Sequence, residues 1–412
     1  MVDVVSSPRA GAPARGPALT SVAAAAEAQF QEPGGAPRLF VRPKVTLPVP
    51  PEATLAEIEQ KVRRGERLTA DDGLALYACP DLLWLGRLAR LAQRRVSGDY
   101  VYFNVNRHLN LTNICKAKCA FCSFRRDEGE AGAYTMTVEE AVETALHTAA
   151  TLDITELHIV NGLHPGLPFD YYLDALRRLK AALPHVHLKA FTAVEIWWFA
   201  RITGRSYEDV LRALIDAGLG SLPGGGAEIF APRVRRRLCG YKSTAEDWLE
   251  IHRTAHRLGL RTNCTMLYGH IETPEERVDH VLRLRALQDE TGGFQVFIPL
   301  RFHNAHNRLS HLPMATALES ARVFAVSRLL LDNIPHLKAY WIMLGLDTAQ
   351  TLLDFGVDDL DGTVVQERIY HMAGAATPHE VSLEELVRVI RAAGRIPVQR
   401  DTVYNVLRVF EE

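Results

Sequence analysis

The 412-residue chain predicts an α/β fold: a (β/α) barrel with a short helical extension on its N-terminal side. Three observations carry this expectation. Beyond Tyr100 short apolar runs alternate with helical segments, several of those segments open on a hydroxyl-plus-carboxylate pair, and polar residues and glycines collect just after the apolar runs.

Residues 1–50 are rich in Ala, Pro and Gly, and their mildly apolar run Leu19-Thr-Ser-Val-Ala-Ala-Ala-Ala26 has no basic lead-in, so a disordered tail is expected rather than a signal peptide. Residues 51–99 form the helical extension. There Leu55, Ile58 and Val62 recur at helical spacing, Leu82, Leu85, Leu88 and Leu91 recur every third residue, and Thr69-Ala-Asp-Asp72 opens a helix between them. The barrel core is expected over 100–380, and a C-terminal helix and terminal segment packing on it over 381–412.

Within the core, strands are expected at 107–112, 156–160, 187–192, 219–222, 262–268, 294–300 and 337–341, with a weaker one at 359–364. The starts Thr137-Val-Glu-Glu140, Ser243-Thr-Ala-Glu246, Thr273-Pro-Glu-Glu276 and Ser382-Leu-Glu-Glu385 fit the capping box, in which hydroxyl and carboxylate each satisfy a free N–H of the first turn. Strand and helix alternating in this way imply parallel strands joined by right-handed crossovers. Seven or eight such units over about 300 residues suit a barrel.

Basic and acidic residues nearly balance, 47 against 49, so no long-range field directs the chain to nucleic acid or an anionic membrane surface. No stretch is apolar for long enough to span a bilayer. The six cysteines do not resemble a disulfide framework, which points to a reducing cytoplasm.

Three of those cysteines carry chemistry. Cys115, Cys119 and Cys122 stand as C-x3-C-x2-C in Asn113-Ile-Cys-Lys-Ala-Lys-Cys-Ala-Phe-Cys-Ser-Phe124, directly after the run at 107–112. Three closely spaced thiolates can hold three irons of a cubane cluster, and with no fourth cysteine nearby one iron stays open to a small ligand. A structural zinc site would want a fourth Cys or His close by. Other strand ends are similarly loaded: Asn161-Gly-Leu-His-Pro165, Phe191-Thr-Ala-Val-Glu195, Pro223-Gly-Gly-Gly-Ala-Glu228, Met266-Leu-Tyr-Gly-His-Ile-Glu-Thr273 and Pro299-Leu-Arg-Phe-His303. Active sites of barrels gather at these ends.

With these blocks and Lys338-Ala-Tyr-Trp-Ile-Met-Leu-Gly345, the chain resembles the radical S-adenosylmethionine (SAM) enzymes, and among them the aminofutalosine synthase family of menaquinone biosynthesis, from about residue 52 to its end. The resemblance implies a radical SAM (β/α) TIM-type barrel, a [4Fe-4S] cluster on Cys115, Cys119 and Cys122, and S-adenosyl-L-methionine as co-substrate. It implies that a 5′-deoxyadenosyl radical adds to the enol double bond of 3-[(1-carboxyvinyl)oxy]benzoate, with rearrangement and decarboxylation, to give 6-amino-6-deoxyfutalosine. A reducing electron donor such as flavodoxin or ferredoxin is implied as well. Sister enzymes, cyclic dehypoxanthinyl futalosine synthase and deazaflavin-precursor synthase, would share cluster and barrel. A non-catalytic iron–sulfur carrier or structural metal protein would ordinarily complete its ligands with a fourth side chain.

The same resemblance assigns Phe121, Asn161, Gly162, Glu195, Gly225 and Glu228 to the cofactor. Asn161 stands where the superfamily usually has the first glycine of a Gly-Gly pair, and Gly224, Gly225 and Gly226 suit a tight turn at the barrel mouth. The substrate carries two carboxylates, for which His164, Lys189, His270, Arg301 and His303 are the expected partners. Tyr268 and Tyr340 are expected to line the aryl pocket. Features set aside are the Arg233–Arg237 run, read as the solvated face of a short helix; Asp359, Asp361 and Gly362, an incomplete echo of a calcium loop; and Cys79, Cys239 and Cys264, read as packing residues.

Overall fold

The computed structural model describes residues 40–411. The expected tail lies outside them up to residue 39. Residues 40–50 have partners in the body of the protein: the Phe40 carbonyl meets His311 Nε2 at 2.6 Å, and Arg42 pairs with Glu319.

The extension consists of the helices Glu52–Arg64, Ala70–Ala78 and Leu82–Ser97, which bury Ile58, Val62, Leu85 and Leu88. Thr69 opens the second in a reciprocal box with Asp72. Such a cap is worth about 1 kcal/mol. The third helix packs on the helix Ala317–Leu330, one of the outer layer around the barrel.

Strand β1 (Tyr100–Asn104) is followed after one residue by β2 (Asn106–Leu109), and the two enter different sheets. From β2 the chain lays down β3 (Glu156–Ile159), β4 (His187–Ala190), β5 (Ser221–Leu222), β6 (Arg261–Tyr268), β7 (Phe294–Arg301) and β8 (His336–Leu337), all parallel and in chain order. Consecutive pairing with a helix between most strands curls this sheet, as the sequence predicts. The second sheet has the order β11-β10-β1-β9, from β9 (Asp359–Gly362), β10 (Ile396–Arg400) and β11 (Val406–Val409).

Residues 358–365 link the free edges of the curled sheet. On one side Asp358 N donates to the Leu337 carbonyl at 3.1 Å and Ala339 N to that of Asp359 at 2.9 Å. On the other, Val365 N donates to Asn106 O at 3.1 Å and His108 N to Val365 O at 3.0 Å. The expected seven or eight strands are therefore seven in one sheet plus this bridging segment.

β1, β10 and β11 were not expected from the sequence. β1 merges with β2 into one apolar run, β10 contains Pro397, a residue that argues against an interior strand, and Val406 and Leu407 of β11 are half exposed. Capping boxes form at Thr137/Glu140 and Thr273/Glu276, and Ser382 accepts from Glu385 N. The helix expected to start at Ser243 uses Thr244 with Asp247 instead, and a further box, Thr192 with Glu195, opens the helix Ala193–Thr203.

The bridging segment is anchored by charge. Asp359 and Arg400, both fully buried, pair at 2.7 Å, and Tyr404 donates to the same carboxylate at 2.8 Å. Arg400→Met would leave that carboxylate without its guanidinium, and unfolding free energy in a denaturant titration should drop by about 3–5 kcal/mol.

Candidate active site

At the carboxyl ends of the strands lies an open cavity of about 330 Å³, within the range of small-molecule sites. Its wall includes Cys115, Cys119 and Cys122 and no other cysteine.

Main-chain bonds from three directions pin the cysteine loop. Lys116 N donates to Leu163 O at 3.0 Å, Ala120 N to Leu238 O at 2.7 Å, and Arg308 N to Ala120 O at 3.0 Å. Within the loop, Cys115 N donates to Arg126 O at 3.1 Å and Arg126 N to Asn113 O at 2.8 Å. Asn113 closes the base through its side chain, donating to Gly132 O and accepting from Tyr134 N. Gly162 is fixed by the same packing: a Cβ there would stand 2.4 Å from the Ile114 carbonyl oxygen. Gly162 is not in the cavity wall, so its missing side chain makes room for the cysteine loop rather than for a ligand.

Burial pushes all three thiols up, and the Lys242 ammonium opposes this at each. Lys242 pairs with Glu228 and stands 5.6 Å from the Phe121 ring centroid; burial works against its charge, but Glu228, Cys239 and Cys119 more than offset it and raise its pKa. Lys242 thus reduces, without cancelling, the cost that burial sets on the thiolate form that iron needs. Among the described residues no three His, Cys, Asp or Glu side chains converge on a point that would hold a single metal ion. Three thiols on one short loop suit three corners of a cluster.

Asn161, Glu195, Gly225 and Glu228 line the same cavity. Glu195 Oε1 accepts from Asn161 N at 3.0 Å and Nδ2 at 3.1 Å, and Oε2 from Thr192 N at 2.8 Å and Oγ1 at 2.9 Å. Burial nevertheless raises its pKa to about 7 against those bonds. Asn161 also accepts from Leu111 N at 2.6 Å, so one amide ties the ends of β2 and β3 to the next helix. At Gly226, with φ +88°, a Cβ would meet Val194 Cγ2 at 2.3 Å, which keeps the glycine turn flat against the helix Ala193–Thr203.

Of the residues expected to meet substrate carboxylates, Lys189 and His303 are in the wall. Lys189 donates to Glu156 at 2.8 Å and holds that carboxyl well below its usual range in spite of burial; His303 Nε2 contacts the Met343 carbonyl at 2.8 Å. His164, His270 and Arg301 are not among the residues of the cavity wall. His164 Nδ1 accepts from Gly166 N and Leu167 N and so shapes its own turn. His270 is fully buried between Leu267 O, Ile271 N and Glu272. Arg301 donates to the Met343 carbonyl. Tyr268 is likewise outside, bonded to Ser320 at 2.8 Å, whereas Tyr340 is in the wall.

Sequence reasoning did not single out His108, His158, Lys242, Lys338 or Tyr370, and it dismissed Asp361; all six line the cavity. For His108, His158 and Asp361 the available signal was a polar side chain inside a strand run, which parallel strands buried on both faces seldom carry. Arg235 departs from the solvated-face reading, since it is buried with its guanidinium on the Ala227 and Ser243 carbonyls.

A curled parallel sheet whose cavity wall carries three thiols from one loop defines the radical SAM class. Residues 109–284 match the radical SAM superfamily and residues 291–412 the CofH/MqnC C-terminal region. Within that class the chain belongs to the aminodeoxyfutalosine synthase family. It is 57% identical to the aminodeoxyfutalosine synthase of Streptomyces coelicolor, over 86% of this chain and 94% of that relative. It is 51% identical to that of Thermus thermophilus, over 87% and 97%. The 5-amino-6-(D-ribitylamino)uracil--L-tyrosine 4-hydroxyphenyl transferase of Methanopyrus kandleri is 42% identical over 82% and 94%. Two solved structures share the fold at a TM-score of 0.67: the hydrogenase maturase HydG from Carboxydothermus hydrogenoformans, 19% identical over 86% of this chain and 81% of its own, and methylornithine synthase PylB, 16% identical over 82% and 97%. No helix among the described residues is long and apolar enough to cross a membrane.

Two outcomes are expected. Gly162→Ala should displace the cysteine loop, and iron and sulfide bound per chain after anaerobic reconstitution should fall. Because the folded-state pKa of Glu195 lies above its ordinary 4.5, folding takes up a proton there, and stability from this group declines as pH rises from 4.5 towards about 7. Melting curves of Glu195→Gln should lack that part of the pH slope.

Proposed function

We propose that this chain catalyses the aminofutalosine synthase reaction: the 5′-deoxyadenosyl group of S-adenosylmethionine is joined to the enol double bond of 3-[(1-carboxyvinyl)oxy]benzoate, with rearrangement and decarboxylation, giving 6-amino-6-deoxyfutalosine. The observation that carries this reading is the isolated trio of thiols in the wall of one substrate-sized cavity, in a chain 57% identical to a curated synthase along nearly its whole length. A [4Fe-4S] cluster on Cys115, Cys119 and Cys122 supplies, when bound with SAM, the electron that releases the adenosyl radical.

The chain's own side chains bind, orient and insulate. Asn161, Glu195, Gly225 and Glu228, with Phe121, form the part of the wall assigned to SAM; the carboxylates suit its amino and hydroxyl groups. Gly162 serves this part indirectly, by seating the cysteine loop. Leu267, Ile298, Leu300 and Phe302 make the opposite wall apolar, which keeps water and stray hydrogen donors from a radical. Lys189 and His303 are the substrate-side polar groups among those the sequence pointed to. A cytoplasmic setting with a low-potential donor such as flavodoxin or ferredoxin suits an oxygen-sensitive cluster, and the near-neutral charge gives no reason to add nucleic acid as a partner.

The test is anaerobic turnover of reconstituted protein with SAM, dithionite and the enolpyruvyl benzoate, the adenosyl product being identified by mass. A coupled adenosyl product is expected; free 5′-deoxyadenosine as the main product would favour a sister enzyme that abstracts hydrogen. Cys119→Ala should lose cluster loading and turnover together, and a variant that kept full turnover would refute the ligand assignment.

A further inference from the structure

The cavity has a floor as well as a rim. Cysteines, glycine turn, Phe121 and Glu228 sit on loops beyond the strand ends, whereas His108, His158 and Lys189 lie within β2, β3 and β4 and pair in register, His108 with His158 and His158 with Lys189. Lys338 and Tyr340, just past β8, and Asp361 of β9 complete this lower part of the wall.

Three of its rings are nearly parallel. His108 stacks on His158 with centroids 4.5 Å apart and 8° between planes, and on Tyr340 at 6.2 Å and 6°. The charges beside them are already matched, Lys189 with Glu156 and Lys338 with Asp361, each in hydrogen-bond contact. The rings are not. Among the described residues, two buried side-chain polar atoms without a hydrogen-bond partner belong to the wall of this cavity: His108 Nε2 and Tyr340 Oη. A buried polar group left unpaired costs about 1–3 kcal/mol, which a ligand completing both atoms would recover.

We propose that His108 and Tyr340, with the remaining N–H groups of Lys338 and Lys189, receive the benzoate carboxylate of the substrate. This rests on the reaction proposed above. The substrate's other carboxyl group is lost during turnover, and a tight ion pair there would hold the ground state more firmly than the charge-dispersed state that follows. The benzoate carboxylate is retained and stands at the end of the molecule away from the enol carbon, which must face the rim. Neutral donors suit it, because the lysines bring their own carboxylates and an added anion finds no surplus charge. Burial lowers the His108 pKa to about 3 and raises that of Tyr340, so the imidazole stays neutral with one N–H and the phenol keeps its proton. Asp361, Glu156 and Glu367 also face this region; Asp361 is held to about 2 by Lys338 against desolvation, and Glu367 is occupied by the N–H groups of Ile369 and Tyr370 and by His371.

Tyr340→Phe removes one atom that has no partner in the protein and keeps the stacked ring, so its melting temperature should not fall. With 3-[(1-carboxyvinyl)oxy]benzoate its KM should rise about tenfold or more, the worth of one charge-assisted hydrogen bond, with little change in kcat and none in the KM for SAM. The discriminating substrate is the ether lacking the ring carboxylate: wild type should handle it far less well, and Tyr340→Phe should add no further loss. His108→Phe, which also keeps a ring in the stack, should behave alike. Unchanged KM in Tyr340→Phe, an equal added loss with both ethers, or a rise in the KM for SAM would overturn the assignment. Failure of the wild type to form any coupled product would instead remove the reaction on which it rests.

Discussion

Between β8 and β2 the cylinder is completed by residues 358–365, and three aspartates close together in that segment each take a buried cation from a different part of the chain. Asp358 meets Arg328 of the outer helix at 3.3 Å, Asp359 meets Arg400 of β10 at 2.7 Å, and Asp361 meets Lys338 beyond β8. Their main-chain neighbours bond to β8 on one side and β2 on the other. Buried pairs of this kind add little net stability over an apolar equivalent, but removing one partner is strongly destabilising. They therefore act chiefly as registers: only one placement of the segment leaves no charge alone. That placement puts Asp361 and Lys338 at the cavity floor and sets Tyr340 over His108.

The rim is ordered by a different device. Main-chain hydrogen bonds with Leu163, Leu238 and Arg308 seat the cysteine loop, together with the bare backbone at Gly162, and the ion pairs of Lys118 and Arg125 with Asp127 are local to it. A loop carrying three thiols must keep their spacing whether or not iron is present, and bonds between main-chain groups hold spacing without placing further charge near the sulfurs. The Lys242 ammonium near the sulfurs is matched by Glu228 and lowers the cost of thiolate formation against burial. Rim and floor are thus independent in construction, the first depending on backbone geometry and the second on matched charge.

This division explains what was legible in the sequence. The alternation of apolar runs and capped helices is local, and it located every strand of the barrel sheet to within a few residues. The cysteine spacing is local too. Of the second sheet only β9 was legible, because β1 is continuous with β2 in pattern and β10 contains a proline. Histidines at strand ends looked alike, yet His164 and His270 are consumed by N–H groups one to three residues away, whereas His108 has none in reach. That difference depends on turn geometry and on neighbours far along the chain. Asp361 was misread for the same reason: its partner Lys338 lies in a separate strand end, and only the closed cylinder brings them together.

A floor assembled this way carries a cost in the empty protein. His108 and Tyr340 are held in place by stacking and by their strands, with polar atoms that no protein group satisfies. An apolar pair of the same shape would remove that cost. Unpaired donors fixed in advance gain more from an arriving acceptor than mobile ones, because neither reorientation nor loss of an existing bond opposes the contact. The rejection they enforce is also sharper, since a molecule without the acceptor leaves both still unpaired. Selectivity between aryl ethers with and without a ring carboxylate is thus built from the stability that the floor forgoes.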